Sequence, residues 1–253
     1  MLRKAIVKRP CRNLVNGLTT SNLGKPDYDL ALKQHGDYME TLRKCGLELI
    51  VLEADENYPD SVFVEDTALL TPYCAVITNP GAQSRKGEIK EISGVINDLF
   101  EKVESITEPG TLDAGDVMMV GNHFYIGLSE RTNTSGAGQL IQILNKYGMT
   151  GSTVTLNSIL HLKSGSSYLE NNNMLVTGSF INNPDLKKYN LIPVDNDEEY
   201  AANSLWINDM VLVPKGFPVT KAKIEHAGYE TIELDVSEFR KVDGGLSCLS
   251  LRF

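Results

Sequence analysis

The chain has 253 residues, of which 42% are hydrophobic and 23% are charged, proportions that are ordinary for a globular protein. Its net charge of -9 argues against nucleic acid or an anionic membrane as a partner, because both select a basic surface. No apolar run reaches the ~20 residues that a membrane-spanning helix needs.

The cysteines are scattered, without a Cys-x-x-Cys pair: Cys11, Cys45, Cys74 and Cys248. This spacing predicts neither a zinc site nor a dense disulfide framework. The first residues lack an apolar segment long enough for a signal peptide. We therefore expect free thiols and a cytoplasmic location.

The N-terminal quarter predicts a strand, a long loop, a helix and a second strand. Residues 4–9 form the strand, and residues 13–26 are rich in Asn, Gly, Thr and Ser. Apolar residues recur at helical spacing over residues 28–45, and Gly46 is placed to end that helix. Residues 47–52 are apolar enough for a buried strand.

A hydrophobic run next ends in the adjacent acids Glu65 and Asp66. Residues 67–78 predict a hairpin, and residues 85–102 predict an amphipathic helix. The pattern then returns. Asp113 precedes a second hairpin that turns at Gly121 and Asn122, a typical turn pair, and a helix is expected near residues 136–147.

Two further copies follow. One has a turn at residues 171–173, a strand at 174–177 and a short helix that starts at residues 183–184. The other turns at residues 208–209 and continues into a helix near 220–227 and a strand at 231–234. The last residues, 246–253, predict a final strand that contains Cys248.

The chain thus reads as about five copies of one unit, a hairpin followed by a helix and another strand, within a single domain of residues 1–253. Units that each leave one face apolar must stack or close on one another. A closed ring would bring equivalent strand ends to a common centre, where we expect a group of five residues: Glu65, Asp66, Asp113, His161 and Cys248.

A thiol, an imidazole and several carboxylates together suit attack on a cationic carbon. A free thiol has a pKa of ~8.5, so it needs a nearby base or cation to react at neutral pH. His161 or a bound guanidinium would supply one, whereas carboxylates raise the thiol pKa in an empty site. Each residue also has a structural interpretation: Cys248 as a buried apolar residue, His161 as a core histidine, and the acids as turn residues.

Six segments resemble the dimethylarginine dimethylaminohydrolase family: FVED at 63–66, TLDAGDV at 111–117, LSERTN at 128–133, LHLKS at 160–164, AAN at 201–203 and VDGGLSC at 242–248. The resemblance runs from about Asn16 to the C-terminus, with the motifs in the order that the family has them. The resemblance implies an α/β fold of the pentein type, a propeller of five strand-helix repeats around a pseudo-fivefold axis. It implies no metal or organic cofactor.

The resemblance also implies roles for the chemistry-bearing residues. Cys248 is expected to attack the guanidinium carbon, and His161 to protonate the departing amine and then activate water. Asp113 is expected to orient His161; some family members carry Glu there.

The substrate-binding residues follow in the same way. Asp60, Glu65 and Asp66 are expected to hold the guanidinium, and Leu18 to belong to a lid. Arg85 and Arg131 match residues that bind the substrate carboxylate, a task suited to a planar two-pronged donor. In the alternative structural interpretation, both arginines are surface charges.

The expected partner is a small guanidine, with a homodimer as the expected assembly. Arginine deiminases and amidinotransferases of the same superfamily carry His-x-Asp, whereas this chain has Lys163 two residues after His161. The missing carboxylate favours methylated arginine as substrate. An arginine deiminase-like hydrolase and a non-catalytic binder of cationic amino acids are the alternatives.

Overall fold

The computed structural model describes residues 1–156 and 159–253. Its strands are β1 (Lys4–Lys8), β2 (Glu48–Leu52), β3 (Ala68–Leu70), β4 (Ala75–Ile77), β5 (Val103–Ser105), β6 (Val117–Val120), β7 (His123–Leu128), β8 (Thr150–Thr155), β9 (Ser166–Tyr168), β10 (Asn173–Val176), β11 (Asn190–Pro193), β12 (Leu205–Ile207), β13 (Met210–Pro214), β14 (Glu230–Leu234) and β15 (Leu251–Arg252). Its helices are α1 (Tyr28–Lys44), α2 (Ile89–Leu99), α3 (Thr134–Lys146), α4 (Leu162–Gly165), α5 (Pro218–His226) and α6 (Ser237–Arg240). Short 3-10 helices lie at Arg12–Asn16, Val64–Thr67, Gln83–Glu88, Ala114–Asp116, Gly178–Asn182, Asn196–Ala202 and Ser247–Leu249.

The described strands form five three-stranded sheets with the same pattern of pairing, in which the central strand has one antiparallel and one parallel neighbour. In one, β3 pairs antiparallel with β4, and β4 pairs parallel with β5 after the chain has passed through α2. The sheet of β6, β7 and β8 repeats this order around α3. The sheet of β12, β13 and β14 repeats it around α5, whereas β10 and β11 are joined through the 3-10 helix Gly178–Asn182. This topology confirms the predicted repeat of hairpin, helix and strand in a mixed α/β fold, with a 3-10 helix in place of the α-helix in that one repeat.

The two ends of the chain share one sheet. Strand β1 pairs antiparallel with β15, where Ala5 lies opposite Arg252, and parallel with β2, where Ala5 lies opposite Leu49. The fifth repeat is thus assembled from the first and last segments. As a consequence, the segment that carries Cys248 is fixed against the N-terminal strand.

Helix α1 begins and ends where its sequence predicts. The side chain of Asp27 accepts a hydrogen bond from the N–H of Leu30, which caps the first turn. The chain leaves the helix at Gly46 with φ of 90°, a conformation that glycine adopts without steric cost. From the buried face of α1, Tyr38 donates a hydrogen bond to the carbonyl of Leu246 at 3.0 Å, which ties the helix to the C-terminal segment.

Two predicted elements are wrong. Residues 246–253 are not one strand: Ser247–Leu249 forms a 3-10 turn, and only Leu251–Arg252 pairs in the sheet. No helix starts at residues 183–184 within the described chain; instead the Asn183 side chain accepts a hydrogen bond from the N–H of Asp185. Asparagine side chains compete in this way with helix formation.

Every helix among the described residues is too short or too polar to cross a lipid bilayer. All four cysteines of this part of the chain are free thiols.

Candidate active site

A short helical turn, or its flanking residue, precedes the first strand of each sheet and carries the predicted chemistry. Glu65 and Asp66 lie in the turn before β3, and Asp113 caps the turn before β6. His161 caps α4, which precedes β9, and Cys248 lies in the turn before β15. Equivalent positions in different repeats thus supply the functional groups.

The turns contact one another. Val64–Thr67 touches Ser247–Leu249 and Ala114–Asp116, and α4 touches Ala114–Asp116 and Asn196–Ala202. Asn203, at the end of Asn196–Ala202, donates a hydrogen bond to Oγ of Ser247 at 3.0 Å. These contacts bring the five turns together.

A cavity of about 150 Å³ lies at this junction. It is lined by every predicted site residue except Glu65: Leu18, Asp60, Asp66, Arg85, Asp113, Arg131, His161 and Cys248. Gly115 in the adjoining turn allows the close packing, because a Cβ there would lie 2.7 Å from Oδ1 of Asp66.

His161 is buried among three carboxylates. Its Nε2 lies 3.9 Å from Oδ1 of Asp66 and 3.9 Å from Oδ2 of Asp113, while Nδ1 lies 3.3 Å from Oδ1 of Asp116. Burial lowers the pKa of His161, but the charges of Asp66, Asp116 and Asp113 outweigh burial and raise that pKa to about 9. The imidazole is therefore protonated at neutral pH.

Asp113 is nearly fully buried, and its Oδ1 accepts a hydrogen bond from the N–H of Gly81 at 2.8 Å. Its Oδ2 has no hydrogen-bond partner among the described residues. Burial and the charge of Asp66 raise the pKa of Asp113 to about 6. The unpartnered oxygen lines the cavity side of His161, where a cationic ligand would neutralise it.

The Cys248 thiol is largely buried and opens onto the cavity. Burial and the charges of Glu65 and Asp66 raise the pKa of Cys248 to about 12. The N–H of Gly245 points at the sulfur at 3.4 Å and opposes this effect. With these neighbours the thiol is protonated at neutral pH, as the sequence predicts for a site rich in carboxylates.

Arg85 is buried in an ion-pair network. Its Nη1 donates to Oδ2 of Asp66 at 2.5 Å, and its Nη2 donates to Oε2 of Glu88 at 2.8 Å and to the carbonyl of Phe63 at 2.9 Å. The alternative interpretation of Arg85 as a surface charge is wrong. Burial opposes its charge, but Glu88 and Asp66 hold the pKa of Arg85 well above its usual range, while burial raises the pKa of Glu88.

Arg131 differs from Arg85. Its guanidinium makes no hydrogen bond or ion pair with any described residue, although its backbone N–H donates to Oγ of Ser129 at 3.0 Å. The side chain lines the cavity and is half-buried. Of the two predicted carboxylate-binding arginines, Arg131 has the donors available.

Glu65 lies outside the cavity because three partners hold its carboxylate elsewhere. Oε1 accepts hydrogen bonds from Nζ of Lys163 at 2.7 Å and Nη2 of Arg252 at 3.1 Å, and Oε2 accepts one from Ser247 at 2.6 Å. The side chain lines a separate cavity of about 200 Å³. In this geometry Glu65 does not contact a ligand bound beside Cys248, in contrast to the expectation that it holds the guanidinium directly.

The predicted lid covers the cavity through backbone hydrogen bonds. The N–H of Leu18 donates to Oδ1 of Asp60 at 2.9 Å, and the N–H of Thr20 donates to Oδ2 of Asp243 at 2.6 Å. Burial raises the pKa of Asp60, and Arg85 opposes that shift. These two hydrogen bonds latch the lid to two residues of the cavity lining, Asp60 and Asp243.

Asp66, Asp113 and His161 form the one group among the described residues whose donor atoms would fit around a metal ion, within 4.8 Å of one another. A metal ligand must be a neutral imidazole. The pKa of about 9 of His161 opposes loss of its ring proton at neutral pH, whereas the two carboxylates can bind an organic cation without that loss.

Sequence reasoning missed several residues. Asp116 is part of the motif at 111–117 but has no predicted role there, yet its carboxylate faces His161. Val242 and Asp243 line the cavity although only Cys248 of their motif was given a role. Glu88 carried no signal except its spacing of three residues from Arg85, which is typical of a helical ion pair.

The geometry combines a thiol, an acidic imidazolium, a pair of carboxylates and a free guanidinium in one small cavity. The carboxylates would hold a planar cation beside the sulfur, and Arg131 would fix an anionic group at the far end. Such an arrangement suits covalent attack by sulfur on a guanidinium or amidinium carbon, with His161 as proton donor.

Comparisons with known proteins agree with this arrangement. The model of a family described as eukaryotic N,N dimethylarginine dimethylhydrolase matches residues 24–249. A dimethylarginine dimethylaminohydrolase of Pseudomonas aeruginosa is 52% identical over 254 residues and is covered along 100% of both chains. Another from Streptomyces coelicolor is 34% identical over 252 residues, covering 99% of this chain and 96% of the relative.

Solved structures match as well. The Pseudomonas aeruginosa protein, as a cysteine-to-serine mutant complexed with citrulline, superimposes with a TM-score of 0.99 at 51% identity and 100% coverage of both chains. The N-terminal domain of a cyanobacterial arginine dihydrolase gives a TM-score of 0.89 at 18% identity, covering 99% of this chain and 97% of that domain. The second match shows a shared fold alone.

Proposed function

The chain belongs to the dimethylarginine dimethylaminohydrolase family, and we propose that it hydrolyses asymmetric dimethylarginine and monomethylarginine to citrulline and dimethylamine or methylamine. One observation carries the proposal: Cys248, His161 and the carboxylates of Asp66 and Asp113 line a single cavity. The family relationship supports the same reaction.

The reaction proceeds in two stages. The guanidinium of the substrate lies between Asp66 and Cys248, and its positive charge favours loss of the thiol proton to solvent, since His161 already carries a proton. The thiolate adds to the guanidinium carbon and forms a C–S bond. The C–N bond to the alkylamine then breaks as His161 donates its proton to the departing nitrogen. A thiouronium remains on the enzyme.

Water completes the reaction. Neutral His161 removes a proton from the attacking water, which adds to the thiouronium carbon. The C–S bond breaks as the hydroxyl of the adduct becomes the carbonyl of citrulline, and the sulfur takes up the hydroxyl proton. Citrulline then leaves, and His161 keeps the proton that it took from water. Asp113 stabilises the imidazolium from the cavity side, since its Oδ2 lies 3.9 Å from Nε2.

The remaining residues bind the substrate. Asp60 and Asp66 supply negative charge around the guanidinium, and Glu65 acts by its charge from the neighbouring cavity. Arg131 binds the carboxylate with its free donors, and Arg85 adds positive charge to the same wall. Leu18 covers the bound substrate as part of the lid.

Lys163 supports specificity for methylated substrates. Its ammonium is held by Glu65 at 2.7 Å and does not line the cavity. The position two residues after His161 therefore supplies no second carboxylate beside the guanidinium, which leaves room for N-methyl groups.

We infer a single catalytic domain of residues 1–253, with its five sheets closed into a pentein propeller around a pseudo-fivefold axis. The contacts between successive turns, returning from Asn203 to Ser247, support this closure. We also propose a homodimer and a cytoplasmic location; the free thiols suit a reducing compartment.

Citrulline formation by the purified protein tests the function. Asymmetric dimethylarginine, monomethylarginine and arginine are compared, with Cys248→Ser as the inactive variant and Cys74→Ser as the matched control. We expect wild type and Cys74→Ser to turn over both methylated substrates but not arginine, and Cys248→Ser to turn over none of the three.

Activity in a folded Cys248→Ser variant would overturn the mechanism. Turnover of arginine alone would support an arginine deiminase-like enzyme. Calorimetric binding of methylarginine without product would support the non-catalytic binder.

A further inference from the structure

The two ring nitrogens of His161 face different surroundings. Nε2 faces Asp66 and Asp113, both of which line the cavity. Nδ1 lies 3.3 Å from Oδ1 of Asp116, which is fully buried and is not part of the cavity lining. Within the described residues Nδ1 has no hydrogen-bond partner, so the nearby carboxylate is the acceptor available to it.

Asp116 is itself held in place by three donors. Its Oδ1 accepts a hydrogen bond from the N–H of Leu162 at 3.0 Å, and its Oδ2 accepts from the hydroxyls of Ser129 at 2.6 Å and Thr132 at 2.7 Å. Leu162 directly follows His161 in the chain. These hydrogen bonds restrain the position of the Asp116 carboxylate, which can in turn restrain the orientation of the imidazole.

The same hydroxyls continue to the substrate-binding side. Oγ of Ser129 accepts a hydrogen bond from the N–H of Arg131 at 3.0 Å, and Oγ1 of Thr132 accepts one from the N–H of Asp113 at 3.1 Å. One buried carboxylate thus connects the imidazole, the Arg131 loop and the backbone of Asp113.

We propose that Asp116 is a positioning residue that fixes the ring orientation and tautomer of His161 through Nδ1 and, through Ser129 and Thr132, holds Arg131 for carboxylate recognition. The proposal rests on the proposed function only for the role of His161 as proton donor. It assigns orientation of the imidazole to Asp116, and leaves Asp113 as the charge on the reactive side.

The proposal makes Nε2 the reactive nitrogen. A carboxylate beside Nδ1 favours the proton on that atom in the neutral ring, so Nε2 alone exchanges its proton with the substrate. The same relation between a carboxylate and an imidazole operates in other enzymes that use histidine as acid and base.

Several charged groups surround His161, and each contributes to its titration. Asp66, Asp113 and Asp116 face the ring directly. Those nearby are Arg85 behind Asp66, Lys163 on α4, and the groups that share the cavity: Asp60, Arg131, Asp243 and Cys248. Asp116 is the one of the three facing carboxylates that a ligand in the cavity does not reach.

Nitrogen-15 NMR of histidine-labelled protein tests the tautomer without requiring activity. We expect neutral His161, observed above its pKa, to carry its proton on Nδ1, in the wild type and in Cys248→Ser. A neutral ring protonated on Nε2 would overturn the proposal. His161→Gln identifies the resonance.

Two variants separate the parts of the proposal. Asp116→Asn removes the negative charge beside His161. When kcat is plotted against pH, we expect the fall of kcat on the basic side to shift to a lower pH by about 1 to 3 units, and KM to rise. Thr132→Val keeps the charge and removes one link to the loop. This variant should raise KM and leave unchanged the pH at which kcat falls on the basic side.

The proposal would be overturned if folded Asp116→Asn had the same basic-side pH dependence of kcat as wild type. It would also be overturned if Thr132→Val had an unchanged KM. Wild-type protein that lacked turnover would refute the proposed function, whereas the NMR result would still decide the orientation of His161. If Asp116→Asn does not fold, the NMR measurement and Thr132→Val remain decisive.

Discussion

The raised pKa of the Cys248 thiol gives a quantitative prediction about the empty and occupied enzyme. Burial, Glu65 and Asp66 raise this pKa to about 12 in the empty cavity. Neutral pH then lies about five units below the pKa of the thiol, so roughly one molecule in 10⁵ carries a thiolate. The free enzyme should be nearly unreactive towards alkylating reagents.

A bound guanidinium should reverse most of this effect. One unit charge at ~4 Å and an effective dielectric of ~20 contributes ~4 kcal/mol. This energy corresponds to about three pKa units, which would bring the thiol pKa to ~9. The thiolate population at neutral pH would rise about 1000-fold when substrate binds.

Ultraviolet absorbance of the thiolate measures both states. The titration of Cys248→Ser is subtracted from that of wild type, which removes the three other cysteines. L-arginine serves as the guanidinium ligand, after confirmation that it yields no citrulline under the conditions used. We expect a midpoint near 12 without ligand and a downward shift of about three units with it.

A midpoint below about 8.5 in the free protein would refute the reasoning, because the thiol would then be at or below its ordinary value. An unshifted midpoint at saturating ligand would refute the second step. In that case a protein group, and not the substrate, would have to ionise the sulfur.

The other predictions concern the ion-pair network, the imidazole and the lid. Glu88→Gln should lower the free energy of unfolding by about 2 kcal/mol in urea titrations, since Arg85 loses a charged partner. His161 has a folded pKa of about 9 against 6.5 unfolded, so its stabilising contribution is complete below pH 6.5 and is lost as pH rises through about 9. As pH rises from 6.5 to about 9, the free energy of unfolding of wild type should therefore fall by about 3 kcal/mol relative to that of His161→Gln. Asp243→Ala should raise KM severalfold in steady-state assays, because the lid loses its bond from Thr20.

Each of these predictions has a result that would contradict it, and the prediction about the lid also has a matched control. Asp243→Asn retains an acceptor and tolerates the positive φ of 57° at this position, so it should change KM less than Asp243→Ala. Equal KM values in the two variants and wild type would show that the latch has no role. A pH-independent stability difference for His161→Gln, or an unchanged unfolding midpoint for Glu88→Gln, would contradict the corresponding electrostatic argument.

Local chemistry made the repeat and much of the site predictable. Asn208 and Asp209 mark a two-residue turn, and both adopt the positive φ that such a turn requires. Gly46 ends α1 because glycine accepts a left-handed conformation. Since these signals recur along the chain, equivalent turns could be aligned, and the alignment brought His161 and Cys248 to one centre.

Short turns were less predictable than helices or hairpins. The run that contains Cys248 is apolar, and an apolar run is compatible with a strand or with a buried turn. Its conformation depends on Asn203, whose Oδ1 accepts the N–H of Ser247 from 44 residues away. No local pattern encodes that contact.

The sequence by itself determined the repeated unit and that most of the predicted site residues share one cavity, because periodicity, turn chemistry and short motifs are local properties. The tertiary structure decided where each side chain points. Glu65 is directed away from the cavity by Lys163 and Arg252, which lie 98 and 187 residues further along the chain. Asp116 reaches His161 only because two repeats pack their turns together. Hydrogen bonds and ion pairs act over a few ångströms, so distances along the chain do not reveal them.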